Sequence, residues 1–351
     1  MVRSRVCLAA LAALLVPSVI ACSATVTPVD LSGAGQEQPG PTLGTPVPPT
    51  ETTPPTTKPP EKVVFGYTSV PLPQAGVSIS AIGGSSASDV WIVGSESGST
   101  SSSPWIAYHY DGSKWSSTPL STTKGRPSFG VVSLGGSNVY LGFSYSADIF
   151  QLSGSTFTKK ASFSVTSGYT MAAVGSKVFI GTQENFGAGP LYTFDGTSSK
   201  QIFVTDGLGG VNAIWGASED DVWLARSSGL GHLVNGTYDD ADSGAFSDVH
   251  GSAKDDVWAV SKTGLQHYDG SSWKDVSFPG GTSDPPRTVT ALSKDEVIVT
   301  TYSDVYRWDG SAFVKESRSG APKSVGKVGR IGKNEAWLAS STEIGRLAPT
   351  K

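Results

Sequence analysis

The chain has 351 residues, 16% of them charged and 38% hydrophobic, with 42 glycines and a formal net charge of −4. No basic block occurs anywhere, which excludes a nucleic-acid partner, because phosphate binding needs a positive footprint. Both cysteines, Cys7 and Cys22, lie at the N-terminus, so the body of the chain holds neither a disulfide framework nor a thiolate metal site.

Arg3 and Arg5 precede an almost wholly apolar run from Val6 to Ile20. That run is too short to span a bilayer, which takes about 20 residues, and it reads as an export signal that is removed. Val19-Ile20-Ala21-Cys22 closes it. These residues resemble the bacterial lipobox, with Val19 where that family usually has Leu. The resemblance implies cleavage after residue 21, a diacylglycerol on the Cys22 thiol and an acyl chain, such as palmitate, on the new amine. At roughly 0.8 kcal/mol per buried CH₂ such chains form a firm membrane anchor. Ser23 stands where an aspartate commonly retains lipoproteins at the inner membrane, so the resemblance implies an exported protein held in the cell envelope at the outer membrane.

Residues 22–61 contain ten prolines, from Pro28 to Pro60, among Thr, Gly and Ser. Proline removes amide donors, and too few apolar residues remain to offset the entropy of ordering. The expectation is a disordered, polyproline-like stalk reaching on the order of 100 Å at about 3.1 Å per residue.

From residue 62 onward the sequence repeats. Asp89-Val90-Trp91-Ile92-Val93, Asp221-Val222-Trp223-Leu224-Ala225 and Asp256-Val257-Trp258-Ala259-Val260 match closely, and weaker copies centre on Tyr140, Phe179, Ile298 and Trp337. A second anchor follows most of them: His109-Tyr110-Asp111-Gly112-Ser113-Lys114-Trp115, Phe194-Asp195-Gly196, Val234-Asn235-Gly236, His267-Tyr268-Asp269-Gly270-Ser271-Ser272-Trp273 and Trp308-Asp309-Gly310. Asp-Gly or Asn-Gly between apolar segments predicts a tight hairpin in which both turn residues take positive φ. Each copy then reads as four short strands, in copy five Phe246–His250, Val257–Ser261, Leu265–Tyr268 and Trp273–Phe278. Seven such copies predict an all-β protein, a seven-bladed β-propeller of four-stranded blades over residues 62–351. Copy seven lacks its outer strand, and Val63–Val70 is a spare one, so the ring is expected to be closed by the N-terminal strand. The repeats resemble those of bacterial extracellular propeller lipoproteins built on Asp-Val-Trp-Ala-Val and His-Tyr-Asp-Gly-x-x-Trp. That resemblance implies surface location and a binding role, and no reaction.

The acid before the second strand (Asp89, Asp221, Asp256, Glu296, Glu335) recurs too regularly to be a catalytic ring. It is expected to cap its turn through its backbone. His109 and His267 occupy equivalent third-strand positions and are expected to pack. His250 is expected at the end of an inner strand, aligned with Trp215, where both could face a ligand in the channel. Asp239 to Gly244 lacks the ligand spacing of a calcium loop and reads as a solvated loop. No metal, cofactor or catalytic residue is assigned. The loops 94–104, 120–128, 182–189, 204–210 and 279–287 would form the binding face, so the candidate contacts are Trp215, His250, Arg126, Asp206 and Arg287. The expected function is a monomeric, membrane-anchored, non-enzymatic module that binds a protein or polysaccharide. The alternatives are a glycan-active hydrolase or lyase, or a scaffold of an envelope complex.

Overall fold

The computed structural model describes residues 63–96, 105–120, 128–144, 147–163, 165, 167–184, 187–203 and 209–350. Cys22 and the residues expected to form an export signal and a stalk therefore lie outside the described residues, as do Arg126 and Asp206. Among the described residues every regular element is a β-strand.

β1 (Phe65–Val70) precedes seven successive runs. The first is β2 (Ser78–Ser86), β3 (Asp89–Ser95), β4 (Trp105–Tyr110) and β5 (Trp115–Leu120). The second is β6 (Ser128–Ser133), β7 (Val139–Phe143), β8 (Asp148–Ser153) and β9 (Thr156–Ser162). The third is β10 (Ser167–Val174), β11 (Lys177–Glu184), β12 (Gly187–Phe194) and β13 (Ser199–Phe203). The fourth is β14 (Val211–Ser218), β15 (Asp221–Arg226), β16 (Gly229–Val234) and β17 (Thr237–Ser243). The fifth is β18 (Phe246–Ala253), β19 (Asp256–Ser261), β20 (Gly264–Tyr268) and β21 (Trp273–Val276). The sixth is β22 (Thr288–Ser293), β23 (Glu296–Thr300), β24 (Val305–Trp308) and β25 (Phe313–Lys315). The seventh holds only β26 (Lys327–Ile331), β27 (Glu335–Ala339) and β28 (Ile344–Pro349). All are antiparallel meanders.

The missing fourth strand of the last run is β1, which pairs with β28 from Phe65↔Pro349 to Val70↔Ile344. The expected closure by the N-terminal strand is therefore observed. The first and last runs join into one eight-stranded sheet through a single parallel bridge, Gly84↔Ile331.

The second strands explain the unbroken apolar runs of the sequence. Successive side chains of a strand point to opposite faces. In β3, Val90 and Ile92 enter the cluster shared with Trp337 and Ile344, while Trp91 and Val93 enter the one shared with Val131 and Leu141. In β19, Val257 and Ala259 pack toward Trp223, whereas Trp258 and Val260 pack toward Val289 and Val299. Both faces of these sheets are buried against neighbours, so neither face is polar. The hydrophobic clusters each lie between consecutive runs, including the pair formed by the last and the first. This is the architecture of a β-propeller, in which no sheet is stable without its neighbours.

Asp239 to Ser243 belongs to β17, so the expected solvated loop is instead an outer strand. Its exposed Asp240 pairs with the buried Arg226 guanidinium.

Candidate functional site

The repeated acids come first, because they decide which charged groups remain free. Asp89 Oδ1 accepts from the indole Nε1 of Trp91 at 2.8 Å and from Nε2 of His109 at 3.2 Å. Its Oδ2 accepts from Ser85 and from Ser133 of the next run, both at 2.5 Å. Asp256 does the same with Trp258, His267 at 2.7 Å and Ser252. The imidazoles lie flat on the indoles, His109 on Trp91 at 4.3 Å and His267 on Trp258 at 4.2 Å between ring centroids. Burial alone would raise the Asp89 carboxyl, but the hydrogen bonds from His109, Ser133, Ser85 and Trp91 outweigh it and hold the group well below the usual carboxylate range. The acids are thus structural, but through their side chains and not through the backbone capping expected from the sequence. His232 is a third member, donating to Asp221 at 2.8 Å and stacked 3.7 Å from Trp223. In the last run Arg346 replaces histidine and reaches Glu335 at 2.8 and 3.0 Å.

The Asp-Gly turns differ from the expected two-residue form. Asp111 Oδ1 accepts from the amides of Ser113 and Lys114, both at 2.9 Å, and only Gly112 has positive φ, at 96°. Asp195, Asp269 and Asp309 repeat this arrangement. Amide donors hold the Asp195 carboxyl down at about 2. The carboxylate closes a four-residue loop, so the aspartate need not enter the left-handed region. Of these Asp-Gly and Asn-Gly turns, Asn235-Gly236 alone among the described residues has both residues there, at φ 49° and 78°.

On the inner strands β14 and β18, Trp215 and His250 are brought together, packed between runs rather than open to a ligand as expected. They pair with Trp223 and Trp258 respectively, which confirms their alignment, and their ring centroids lie 6.0 Å apart. His250 is in the middle of β18, not at its end, and is only 8% exposed. Its Nδ1 accepts from the Ala291 amide of the next run at 3.2 Å, which leaves the proton on Nε2. Burial first, then the charge of Arg330, hold its pKa well below the ordinary value. Two residues before it, the buried Asp248 accepts from the amides of Val249 and Val289 at 3.0 and 2.9 Å. Arg330 reaches from β26 over β22, donating to Asp248 at 2.5 Å and to the Val289 carbonyl at 2.7 Å. Neither Asp248 nor Arg330 follows from the repeat pattern; each is a charged side chain on an inner strand, which is the signal that would have found them.

In an antiparallel run the inner strand starts on the face that also carries the turn between strands two and three and the connection to the next run. Arg287 and the turn 301–304 therefore share one face. Arg287 lies just before β22, and its guanidinium carbon sits 4.2 Å from the centroid of the Tyr302 ring. Tyr302 is 72% exposed, whereas Tyr306 and Phe313 of the same run are buried and Trp308 is partly so. Thr301 Oγ1 fixes the turn, accepting from the Asp304 amide at 2.9 Å and donating to Asp284 at 2.6 Å. Lys327, at the start of β26, is exposed yet crowded by protein; burial and then the nearby Arg287 charge lower its pKa. At about 3.3 Å per residue along the strand, this face lies on the order of 10 Å from His250. The sequence candidates thus divide between an inner-strand pair, Trp215 and His250, and a face residue, Arg287. Tyr302 was missed because an isolated tyrosine in a turn carries no periodic signal.

Comparison with known proteins bears on the fold. The sequence matches no family model and no curated relative. The structure is similar to virginiamycin B lyase from Staphylococcus aureus (TM-score 0.64, 12% identity, 82% of this chain and 100% of that one). It is also similar to YCF48 bound to D1 peptide (TM-score 0.60, 12% identity, 82% and 97%). BamB from Moraxella catarrhalis superposes as well (TM-score 0.56, 13% identity, 82% and 89%). All are β-propeller proteins, and at these identities the likeness establishes the fold alone. They include an enzyme and a protein with a bound peptide, so the fold leaves the choice between catalysis and binding to the site.

Proposed function

We propose that this chain is a seven-bladed propeller binding module, tethered by a lipid on Cys22 to the cell envelope, at the outer membrane, which recognises a protein or polysaccharide without transforming it. The observation that carries the reading is Tyr302, a largely exposed ring with its guanidinium partner 4.2 Å away. An aromatic side chain loses little conformational freedom on contact and offers both an apolar face and a hydroxyl. The polar groups of the inner strands support binding over chemistry: the Asp248 carboxylate and His250 Nδ1 are already used to hold neighbouring runs together. The peptide in the YCF48 structure is in keeping with such a role.

The test is binding of the immobilised full chain to a panel of defined polysaccharides and peptides. Tyr302→Ala is expected to weaken the positive ligand at least tenfold, with unchanged thermal unfolding. Trp215→Ala, on β14, is expected to leave that affinity intact. Equal binding by the wild type and Tyr302→Ala would refute the site, and turnover of a bound glycan would replace the module with an enzyme.

A further inference from the structure

β25 is the outermost strand of its sheet, after β22, β23 and β24. Its register with β24 runs Tyr306↔Lys315, Arg307↔Val314 and Trp308↔Phe313. On either side of that stretch the Glu316 amide donates to the Val305 carbonyl at 2.8 Å, and the Asp309 amide to the Ala312 carbonyl at 3.0 Å. Hydrogen-bonded pairs alternate along an antiparallel ladder, so within β25 it is Val314 that bonds β24. Phe313 and Lys315 therefore turn their amides and carbonyls outward, and no other backbone group meets them among the described residues.

Most other outer strands are blunted. β5 carries Pro119, and β9, β13 and β17 each pair with a bulge. The edge of β1 is occupied, because Arg318 donates to the Phe65 carbonyl at 3.2 Å and Gly320 lies against Tyr67. β21 and β25 remain regular. At the end of β25 lies a cleft of about 380 Å³, bordered by Asp304, Lys315, Ser317, Pro322 and Lys323. Tyr302, 72% exposed, stands in the same turn as Asp304. Charges around the cleft are matched: Asp304 holds Lys315 at 2.6 Å, Glu316 holds Arg318 at 2.7 Å, and Glu343 accepts from the Lys323 amide at 2.8 Å. A balanced lining selects neither a polyanion nor a polycation, and leaves recognition to the neutral backbone groups of the edge.

We propose that β25 is a strand-addition site, at which an extended segment of a protein partner pairs with Phe313 and Lys315, enters the cleft and reaches Tyr302. The proposal rests on the binding face described above and names its occupant. In this mode main-chain hydrogen bonds supply affinity and alternate side chains enter pockets. A polysaccharide lacks the alternating amides and carbonyls that such an edge matches. The molecule already completes one sheet in this way, since β1 joins β28 from Phe65↔Pro349 to Val70↔Ile344.

The probe is a displayed library of random linear peptides, selected on the immobilised full chain, with the selected peptides resynthesised and measured by calorimetry. N-methylation at alternate residues, in one of the two phases, removes the bonding amides and keeps the side chains; it is expected to cost about tenfold. Affinity is expected to change little with salt. Lys315→Pro removes the outward donor and leaves the Val314 pairing, as proline does on an edge strand, and is expected to cost about tenfold. Lys315→Ala removes the same side chain and its pair with Asp304 but keeps the donor, and is expected to cost less than about twofold. Thermal unfolding of the two variants is expected to coincide.

Equal losses in both variants would assign binding to the lysine side chain and overturn the edge. Binding lost in Tyr302→Ala but untouched by Lys315→Pro and by N-methylation would overturn strand addition and leave the face standing. Binding that needs the Lys315 amide but not Tyr302 would keep strand addition and refute the Tyr302 site. Self-association of the full chain in sedimentation, abolished by Lys315→Pro, would give the edge to a second copy and overturn the partner. A selection that returns no binding peptide would overturn the proposal and leave the polysaccharide reading of the face.

Discussion

The fifth and sixth runs are neighbours with the same strand plan, and they handle charge in opposite ways. In the fifth, Asp256 is consumed internally by Trp258, His267 and Ser252. In the sixth, Glu296 stands for the aspartate, Ile298 for the tryptophan and Arg307 for the histidine, and the motif cannot assemble. Glu296 instead accepts from Arg318 at 2.6 Å, and Arg318 in turn donates to the Phe65 carbonyl of the closing strand at 3.2 Å. The exposed Tyr302, the Arg287 beside it and the inner-strand tie of Arg330 all gather around this lapsed copy. In the first and fifth runs the motif acid is satisfied within its sheet or by the next one, whereas the fourth keeps the Asp221–His232 bond but leaves the Trp223 indole nitrogen without a partner. Around the lapsed sixth copy, charged side chains turn to closure, to the inner strands and to the open face.

The largest expected effect breaks the complete copy. Trp258→Ala removes a buried indole that also meets Trp308 and Phe313 edge-on, and is expected to destabilise by about 3–5 kcal/mol. Urea unfolding followed by tryptophan fluorescence and circular dichroism would measure it; a loss under 1 kcal/mol would mean that the copies do not pack as a ring.

A closer test of the contrast pairs the two acids. Asp256→Asn removes an acceptor for an indole, an imidazole and a hydroxyl, with an expected loss of about 2–3 kcal/mol. Glu296→Gln keeps an oxygen for Arg318, which retains Glu316, and should lose less, about 1–1.5 kcal/mol. Equal losses would erase the distinction between the copies.

The smallest effect concerns pH. His250 is held neutral in the folded chain by burial and by Arg330. The unfolded chain takes up that proton below about pH 6.5, the folded chain does not, and stability therefore falls as pH falls from there. The contribution is at most about 1.4 kcal/mol per pH unit. His250→Gln, which can still accept from Ala291, should flatten the profile between pH 6.5 and 5 relative to wild type, read from thermal midpoints. Parallel profiles would show that His250 is protonated in the fold.

The strand plan, the copy boundaries and the closing role of residues 63–70 are legible in the residues alone. These depend on local periodicity, on glycine in turns and on a count of strands that only closure can balance. The sequence also places Trp215 and His250 at one aligned position, since both precede an Asp-Val-Trp segment by a constant interval. What the polar residues do depends on the folded ring. Asp89 bonds Ser133 from the next run, Asp248 meets Arg330 across an intervening strand, and Arg287 meets Tyr302 across a turn. The reason is physical: backbone preference and hydrophobic alternation act over a few residues, whereas a buried charge takes its partner from whichever strand the closed ring sets beside it.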